Sequence, residues 1–162
     1  MNQIIDPKIK AIQNYFNALD ALYENGVLLN KKDFTGQLGE RLVETIYGGE
    51  RAKSGNEMGW DIKVIDKYIQ VKTHSKARGT KNRWSALEKE TTAKVDELII
   101  VVFTHNYKLA ELFKVPWNEA INKVKSRGII KVRNELNWND LKSYSLDLNK
   151  LPNQKVVSLF RE

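Results

Sequence analysis

Asp61, Gln70 and Lys72 are the residues of this sequence whose types and spacing are best suited to chemistry. A carboxylate and an amide oxygen, together with the backbone carbonyl of Val71, are oxygen ligands that suit Mg²⁺, and Mn²⁺ is expected to substitute for it. A lysine ammonium cannot bind a metal while it is protonated, but it can orient an attacking water and offset negative charge on a phosphorus transition state. The set therefore predicts metal-dependent hydrolysis of a phosphodiester, provided that the fold brings these side chains together.

The two segments that carry these residues are typical of a β-hairpin. Residues 60–65 and 68–73 are rich in β-branched and aromatic side chains, polar and apolar positions alternate, and Asp66-Lys67 between them suits a two-residue turn. That turn predicts a register in which Asp61 lies opposite Lys72. If the hairpin is only a surface feature, this pair contributes less than about 1 kcal/mol. The aliphatic residues of the hairpin are expected to face a core: Ile62, Val64, Ile69 and Val71.

An upstream acid lies on a predicted helix. Residues 34–47 carry apolar side chains at i, i+4 spacing, with Asp33 or Thr35 as the N-cap and Gly48-Gly49 as the end. Glu40 falls at the margin of the apolar arc, so we expect it to be partly buried and to need a cationic partner, either a metal or a nearby ammonium. A solvated Glu40 that pairs locally is the alternative.

In this order, the helix and the strands resemble the PD-(D/E)XK nuclease superfamily, which has the restriction-endonuclease-like fold. The matching segments are 39–43, 59–64 and 69–73. The resemblance implies an α/β (α+β) fold in which a helix, three strands, a helix and a strand build a mixed central sheet flanked by helices. It also implies a Mg²⁺ site that cuts DNA.

The resemblance assigns a role to each matching residue. Glu40 would be the helix acid, Asp61 the main metal ligand and Lys72 the catalytic lysine, while Gln70 stands at the second acidic position. The implied metal ligands are Asp61, Gln70, the Val71 carbonyl and Glu40. Trp60 replaces the proline that often precedes the aspartate, which matters little. Gln70 replaces an acid, which removes a negative charge, weakens metal affinity and leaves open a copy that binds DNA without cutting it.

The charge of the chain favours a polyanionic partner. Its 162 residues include 27 Lys+Arg and 20 Asp+Glu, for a formal net charge of +7. No acid occurs from Lys67 to Leu87, and we expect DNA contacts there from His74, Lys76, Arg78, Lys81 and Arg83. His74 continues the alternation of Gln70 and Lys72 and is expected on their face. A second basic cluster is expected to take part in recognition: Lys123, Lys125, Arg127, Lys131 and Arg133.

We expect one domain over residues 1–162, with an N-terminal helix in 1–30, a catalytic core in 34–104 and an added hairpin, helix and tail in 105–162. The first helix begins at Asp6-Pro7, ends near Gly26 and has an apolar face for core or dimer contact. Gly36 and Gly39, which are unfavourable inside a helix, indicate close packing on the sheet. The other predicted elements are strands at 51–54, 97–103, 108–115, 128–133 and 155–160 and helices at 84–94 and 116–125.

Other classes of site find no support in the sequence. It has no cysteine, no His pair at ligand spacing, no phosphate-binding glycine loop and no apolar run of membrane-spanning length. We expect a cytoplasmic protein and, because a duplex has two strands to cut, a homodimer. The leading hypothesis is a restriction-type DNA endonuclease, with a junction resolvase or a repair or mobile-element nuclease as alternatives. An inactive DNA-binding module on the same fold and a protein-interaction domain are the non-enzymatic alternatives.

Overall fold

The computed structural model describes residues 6–30, 33–52, 59–75, 83–88, 94–129 and 132–161. The α-helices are α1 (Pro7–Glu24), α2 (Phe34–Tyr47), α3 (Trp117–Lys123) and α4 (Gln154–Val157), and 3-10 turns span Trp138–Tyr144, Leu148–Lys150 and Ser158–Phe160. The strands are β1 (Glu50–Arg51), β2 (Ile62–Val64), β3 (Lys67–His74), β4 (Trp84–Ala86), β5 (Glu97–Phe103), β6 (Leu109–Pro116), β7 (Lys125–Arg127) and β8 (Arg133–Asn137). Within these ranges, no helix combines the length and the apolar character needed to cross a membrane.

The strands form two sheets. The larger sheet has the order β1-β2-β3-β5-β6, in which β3 and β5 are parallel and the other neighbours are antiparallel. The smaller sheet has the order β4-β8-β7 and is antiparallel throughout. The protein is therefore a mixed α+β structure with a mixed central sheet and flanking helices, as the sequence predicts at this level.

Strand β5 is the centre of the core. Its continuous apolar run predicts a strand that is covered on both faces, and this prediction is confirmed because 98–103 are fully buried. Alternate residues enter two hydrophobic clusters. One cluster lies under α2 and contains Ile99, Val101 and Phe103 with Leu42, Val43 and Ile46. The other lies under the smaller sheet and contains Leu98, Ile100 and Val102 with Leu136, Trp138 and Leu141.

The hairpin register differs from the prediction by one residue on each strand. Val64 pairs with Lys67 and Ile62 pairs with Ile69, so the turn is Ile65-Asp66. Ile65, in the turn, adopts a positive φ of 54° and is 86 % exposed. The start of β3 is held in place because Tyr68 N donates to Asp96 Oδ2 at 2.8 Å. The shift leaves the faces unchanged, and the predicted core side of the hairpin is confirmed: Ile62, Ile69 and Val71 are buried and Val64 packs on them.

Two predicted elements are wrong because tertiary contacts outweigh local propensity. The helix expected at 84–94 begins instead with strand β4, where Ser85 is buried and pairs with Leu136 of β8. The edge strand expected at 155–160 is helical, because Val157 enters the cluster under α2 and Phe160 stacks on Phe103 at 5.7 Å.

The strand expected at 128–133 is also misplaced. Gly128 has a φ of +93°, and β7 ends at the residue before it, Arg127. Strands β7 and β8 are antiparallel neighbours, with Arg127 opposite Arg133. In place of the one predicted strand, the structure has two strands, β7 and β8, and both belong to the smaller sheet.

Helix α2 packs closely on β3 at Gly39, whose lack of a side chain leaves room for Thr73. The helix begins at Asp33, whose side chain accepts from Gly36 N, and ends at Gly48 with a φ of +71°. Gly39 is buried in the interface, and a Cβ there would overlap Thr73 Oγ1 and lie 2.8 Å from Thr73 Cβ. Close packing at Gly39 is thus confirmed. A Cβ at Gly36 would instead meet the side chain of Asp33, which is the N-cap of the same helix.

We expect Gly39→Ala to destabilise the fold by about 2 kcal/mol, because β3 must move away from α2 to admit the methyl group. Urea unfolding followed by circular dichroism measures this change. Gly36→Ala in the same helix is the matched control and should cost less than about 1 kcal/mol, since only a cap side chain has to rotate. Equal losses from the two substitutions would contradict the close contact with Thr73.

Candidate functional site

An open cleft lies between the larger and the smaller sheet. The alternation along β3 directs its odd-numbered residues to α2 and its even-numbered residues to this cleft. The cleft has a volume of about 600 Å³. Its lining includes Gln70 and Lys72 from β3, Leu87 and Glu88 after β4, and Arg133 and Asn134 from β8.

Asp61 sits at the end of β2 nearest the cleft. Gly59 turns the chain with a φ of +66°, and the Trp60 ring packs on Tyr68 with centroids 5.3 Å apart. Asp61 N donates to Ile69 O at 2.9 Å, and Asp61 Oδ2 accepts from Val71 N at 2.6 Å. The carboxylate is therefore held against the backbone of β3, which corrects the predicted side-by-side pairing of Asp61 with Lys72.

The Asp61 carboxylate is nonetheless in electrostatic contact with Lys72. Burial raises the pKa of Asp61, and the hydrogen bond from Val71 N and the Lys72 ammonium offset part of that rise. Lys72 is thus close enough to favour the ionised form of Asp61, and of these two residues Lys72 lines the cleft.

Glu40 approaches the same point from α2. It is half-buried, as the sequence predicts, and its pKa is raised to about 7. Burial is the largest cause and the Asp61 carboxylate the next, while the Arg51 guanidinium and the Lys72 ammonium act in the opposite direction. Two acids therefore share one poorly solvated region, which favours the protonated form of Glu40.

Arg51 is a neighbour of the site that the sequence analysis missed. Its side chain is 6 % exposed, its Nε lies 3.3 Å from Glu44 Oε2, and its other nitrogens donate to the carbonyl oxygens of Val27 at 2.8 Å and Gly26 at 2.5 Å. A buried cation in a two-residue strand has no periodic pattern to reveal it. The available signal was a basic residue just after the Gly48-Gly49 helix end.

The site offers oxygen donors of the kind that bind a divalent cation. The structure brings Glu40 and Asp61 together beside Lys72, and Gln70 lies with Lys72 on the cleft wall. Among the residues with described positions, no cluster of three or more His, Cys, Asp or Glu side chains could hold a metal. The oxygens at hand are two carboxylates, an amide and a backbone carbonyl. A cation beside two carboxylates with raised pKa values would stabilise their charged forms. The set therefore fits Mg²⁺, although it has one anionic ligand fewer than a site with an acid in place of Gln70.

His74 and Arg83, two of the predicted DNA contacts, bind protein partners in the wall between the sheets. His74 Nε2 and Ser85 Oγ share a hydrogen bond at 2.8 Å, and Ser85 Oγ also accepts from Trp138 Nε1 at 2.9 Å. The His74 side chain lies on the face of Lys72, as predicted, and burial and the Lys72 ammonium lower its pKa to about 4. Arg83 donates to both carboxylate oxygens of Glu111 at 2.9 and 2.8 Å.

These partners make His74 and Arg83 supports of the cleft, and their contact with DNA stays a prediction. The other three residues predicted to contact DNA there, Lys76, Arg78 and Lys81, lie outside the described residues. In the second basic cluster, β7 exposes Lys125 and Arg127, and Arg133 lies over the Trp84 ring at 4.9 Å. Lys131 of that cluster also lies outside the described residues.

We expect Glu40→Gln to gain stability relative to the wild type as pH rises. The folded pKa of about 7 lies above the ordinary value of 4.5, so the stability that protonated Glu40 contributes is complete below pH 4.5 and is lost as pH rises through 7. Glutamine keeps the neutral form at every pH. The relative gain between pH 4.5 and pH 8 should be about 1 to 2 kcal/mol, reduced by the water that a half-buried carboxylate retains.

Urea unfolding in EDTA at pH 4.5, 6 and 8 measures this gain. Glu44→Gln on the same helix is the control, because Glu44 pairs with Arg41 at 2.8 Å and with Arg51 at 3.3 Å and its neutralisation should cost stability at pH 8. A gain from Glu40→Gln at acidic pH, or none at any pH, would be inconsistent with a repelled carboxylate.

The sequence has no significant match among protein-family models or curated proteins. The functional conclusion therefore depends on the chemistry of the site itself.

Proposed function

We propose that this chain is a divalent-metal-dependent endonuclease that hydrolyses DNA phosphodiester bonds, most closely of the restriction type. The observation that carries the proposal is the electrostatic proximity of Glu40, Asp61 and Lys72, the last of which lines an open cleft together with Gln70. Two acids, an amide and an amine in one neighbourhood are the groups that a phosphodiester hydrolase needs.

The fold supports this proposal in its element order. Helix α2 with Glu40 precedes the antiparallel strands β1, β2 and β3, and β5 returns parallel to β3. This is the arrangement that the restriction-endonuclease-like fold implies for its acid, its aspartate and its lysine. Between β3 and β5 the described residues contain strand β4, whereas the family resemblance implies a helix.

The site residues divide the proposed chemistry among themselves. A Mg²⁺ ion, or Mn²⁺ in its place, would be held by Asp61, Gln70, the Val71 carbonyl and Glu40, and it would polarise the phosphate and acidify a water. The Val71 N–H fixes Asp61 through Oδ2 and leaves Oδ1 outside that hydrogen bond. Lys72 presents a cation at the cleft, where it would orient a phosphate and offset charge at the phosphorus.

The charge distribution supports DNA as the substrate. The chain carries a net charge of +7, and Arg133 faces the cleft on the wall opposite Lys72. Lys125 and Arg127 are exposed on β7, the edge strand of the smaller sheet beyond β8. Cations on both sides of the opening would hold the phosphate backbone, and binding should weaken steeply with salt.

A DNA-binding module that does not cut is the second candidate. It is favoured by Gln70, which is neutral at a position where the family pattern has an acid, and by the engagement of Asp61 Oδ2 with Val71 N. Both features reduce the negative charge offered to a metal. The same cleft and cations would then serve to retain DNA.

We expect the protein to cut plasmid DNA with Mg²⁺ or Mn²⁺ and not with EDTA. Asp61→Asn and Lys72→Met should each lower the cleavage rate at least about 100-fold, because each removes a group at the reacting phosphate. Lys63→Met is the matched control: Lys63 is an exposed lysine of the same hairpin, and its loss should change the rate less than about threefold. Circular dichroism of each variant verifies folding.

The kind of DNA that is cut is identified by incubating the protein with plasmid, long linear duplex and a four-way junction in parallel. Discrete fragments indicate a restriction-type enzyme, and selective cutting of the junction indicates a resolvase-like enzyme. Intact DNA that is retained in a salt-sensitive way, with no effect of Mn²⁺, overturns cleavage and supports the binding module. No salt-sensitive retention of any DNA overturns both candidates.

A further inference from the structure

The β7–β8 ribbon, which comprises residues 125–129 and 132–137, lies at the open edge of the smaller sheet. Strand β7 pairs with β8 alone, and all three of its residues are exposed. Leu136 of β8 enters the core under the smaller sheet and is the one buried residue among those described in the ribbon. Most of the ribbon's surface is therefore available to a partner.

The face of the ribbon away from Leu136 carries three cations. Lys125 and Arg127 alternate along β7, and Arg127 lies directly opposite Arg133 of β8, so the three side chains share a face. Like charges that face each other across an antiparallel pair destabilise it. Glu135 pairs with Arg133, whereas Arg127 has no ion pair with any residue that the structure describes. A polyanion on this face would relieve the remaining repulsion.

Two aliphatic side chains lie next to these cations. Ile129, which is 99 % exposed, follows Arg127 by two residues, and Val132, which is 65 % exposed, precedes Arg133. A ligand that suits this end of the ribbon must present anions and apolar groups side by side. Duplex DNA does so, because phosphates border each groove and base edges, including the thymine methyl groups, form the floor of the major groove.

The width of the ribbon distinguishes between the two grooves. Neighbouring strands are about 4.8 Å apart, and their side chains add to that width. The major groove of B-DNA is about 12 Å wide and admits a two-stranded ribbon, whereas the minor groove is only about 6 Å wide. The ribbon therefore fits the major groove.

The ribbon is continuous with the proposed cutting site. Val132, Arg133 and Asn134 line the same cleft as Lys72. The Ser126 hydroxyl donates to Asn134 Oδ1 at 2.9 Å, which ties β7 to the cleft-lining start of β8. A duplex whose backbone reaches Lys72 would therefore have a groove beside the ribbon.

We propose that the β7–β8 ribbon enters the major groove of duplex DNA and is the recognition element of this protein. Lys125 and Arg127 bind the phosphates that border the groove, and Ile129 and Val132 contact the base edges. The choice of DNA rests on the proposed function, and the ribbon deepens that function by naming the groove and the residues that enter it. It serves a nuclease and a binding module equally.

Binding of a labelled linear duplex of mixed sequence, measured by fluorescence anisotropy in EDTA, tests the apolar contact. Ile129→Ser should weaken binding about tenfold, because a contact at the groove floor is lost. Leu159→Ser is the matched control: Leu159 is 73 % exposed, and its neighbour Phe160 packs on the α2 side of the larger sheet, away from the ribbon. It should leave binding unchanged. Circular dichroism verifies that both variants fold.

The salt dependence of the same binding tests the phosphate contact. Arg127→Gln should reduce the slope of log affinity against log salt concentration by about 1, since one phosphate contact is removed. Lys155→Gln removes the same charge from α4, whose Val157 packs on the α2 side, and should leave the slope unchanged. Equal slopes for the two variants would overturn a phosphate contact at the ribbon.

Blocking each groove in turn identifies the one that the ribbon enters. A duplex with glucosylated 5-hydroxymethylcytosine, whose sugars fill the major groove, should bind the wild type at least about tenfold more weakly, and netropsin, which fills the minor groove, should leave binding unchanged. Displacement by netropsin, equal affinity for the glucosylated duplex, or equal binding by Ile129→Ser and Leu159→Ser would overturn the ribbon proposal while the wild type still binds or cuts DNA. A wild type that neither retains nor cuts any DNA overturns the proposed function itself, and the ribbon proposal falls with it.

Discussion

The direct contact between Gly39 of α2 and Thr73 of β3 is the constraint on which the rest of the site depends. Any side chain at position 39 would hold the helix away from the sheet. Because the contact is close, Glu40, the next residue of the helix, reaches the end of β2 and shares its surroundings with Asp61. The raised pKa of Glu40 is thus a consequence of the close packing of α2 on β3 at the preceding residue, Gly39.

A second set of contacts keeps the smaller sheet at a fixed distance from β3. Ser85 of β4 accepts from the Trp138 indole N–H and shares a hydrogen bond with His74. Arg83 binds Glu111 of β6, and its guanidinium lies 5.2 Å over the Trp138 ring. These buried polar contacts tie β4 to both sides of the wall. They explain why an open cleft persists between two sheets that would otherwise close on each other through their apolar faces.

The sequence predicts the parts of the fold that depend on local signals. The Asp33 cap, the Gly48 end, the apolar run of β5 and the burial of Glu40 all follow from residue type and spacing. The hairpin faces were also predicted, because a shift of one residue on each strand preserves the side-chain alternation. Its turn was not, since the register is fixed by a contact of Tyr68 with Asp96, which lies far along the chain.

The parts that could not be predicted depend on distant partners. Strand β4 forms because β8 offers an edge to pair with and His74 offers a hydrogen-bond partner to Ser85, and neither is visible in the sequence around Ser85. Arg51 is beyond prediction for the same reason, since its partners come from the loop after α1 and from α2. The roles of Glu40, Asp61 and Lys72 were predicted from the order of the motif along the sequence. The structure shows that the three residues lie near one another.

Arg51 also links two regions that the chain separates. One guanidinium holds the carbonyl oxygens of Gly26 and Val27, just after α1, and at the same time lowers the proton affinity of Glu40. A single buried side chain thus joins the backbone of the loop after α1 to the electrostatic environment of Glu40. The position of that loop and the ionisation of the acid therefore depend on the same cation.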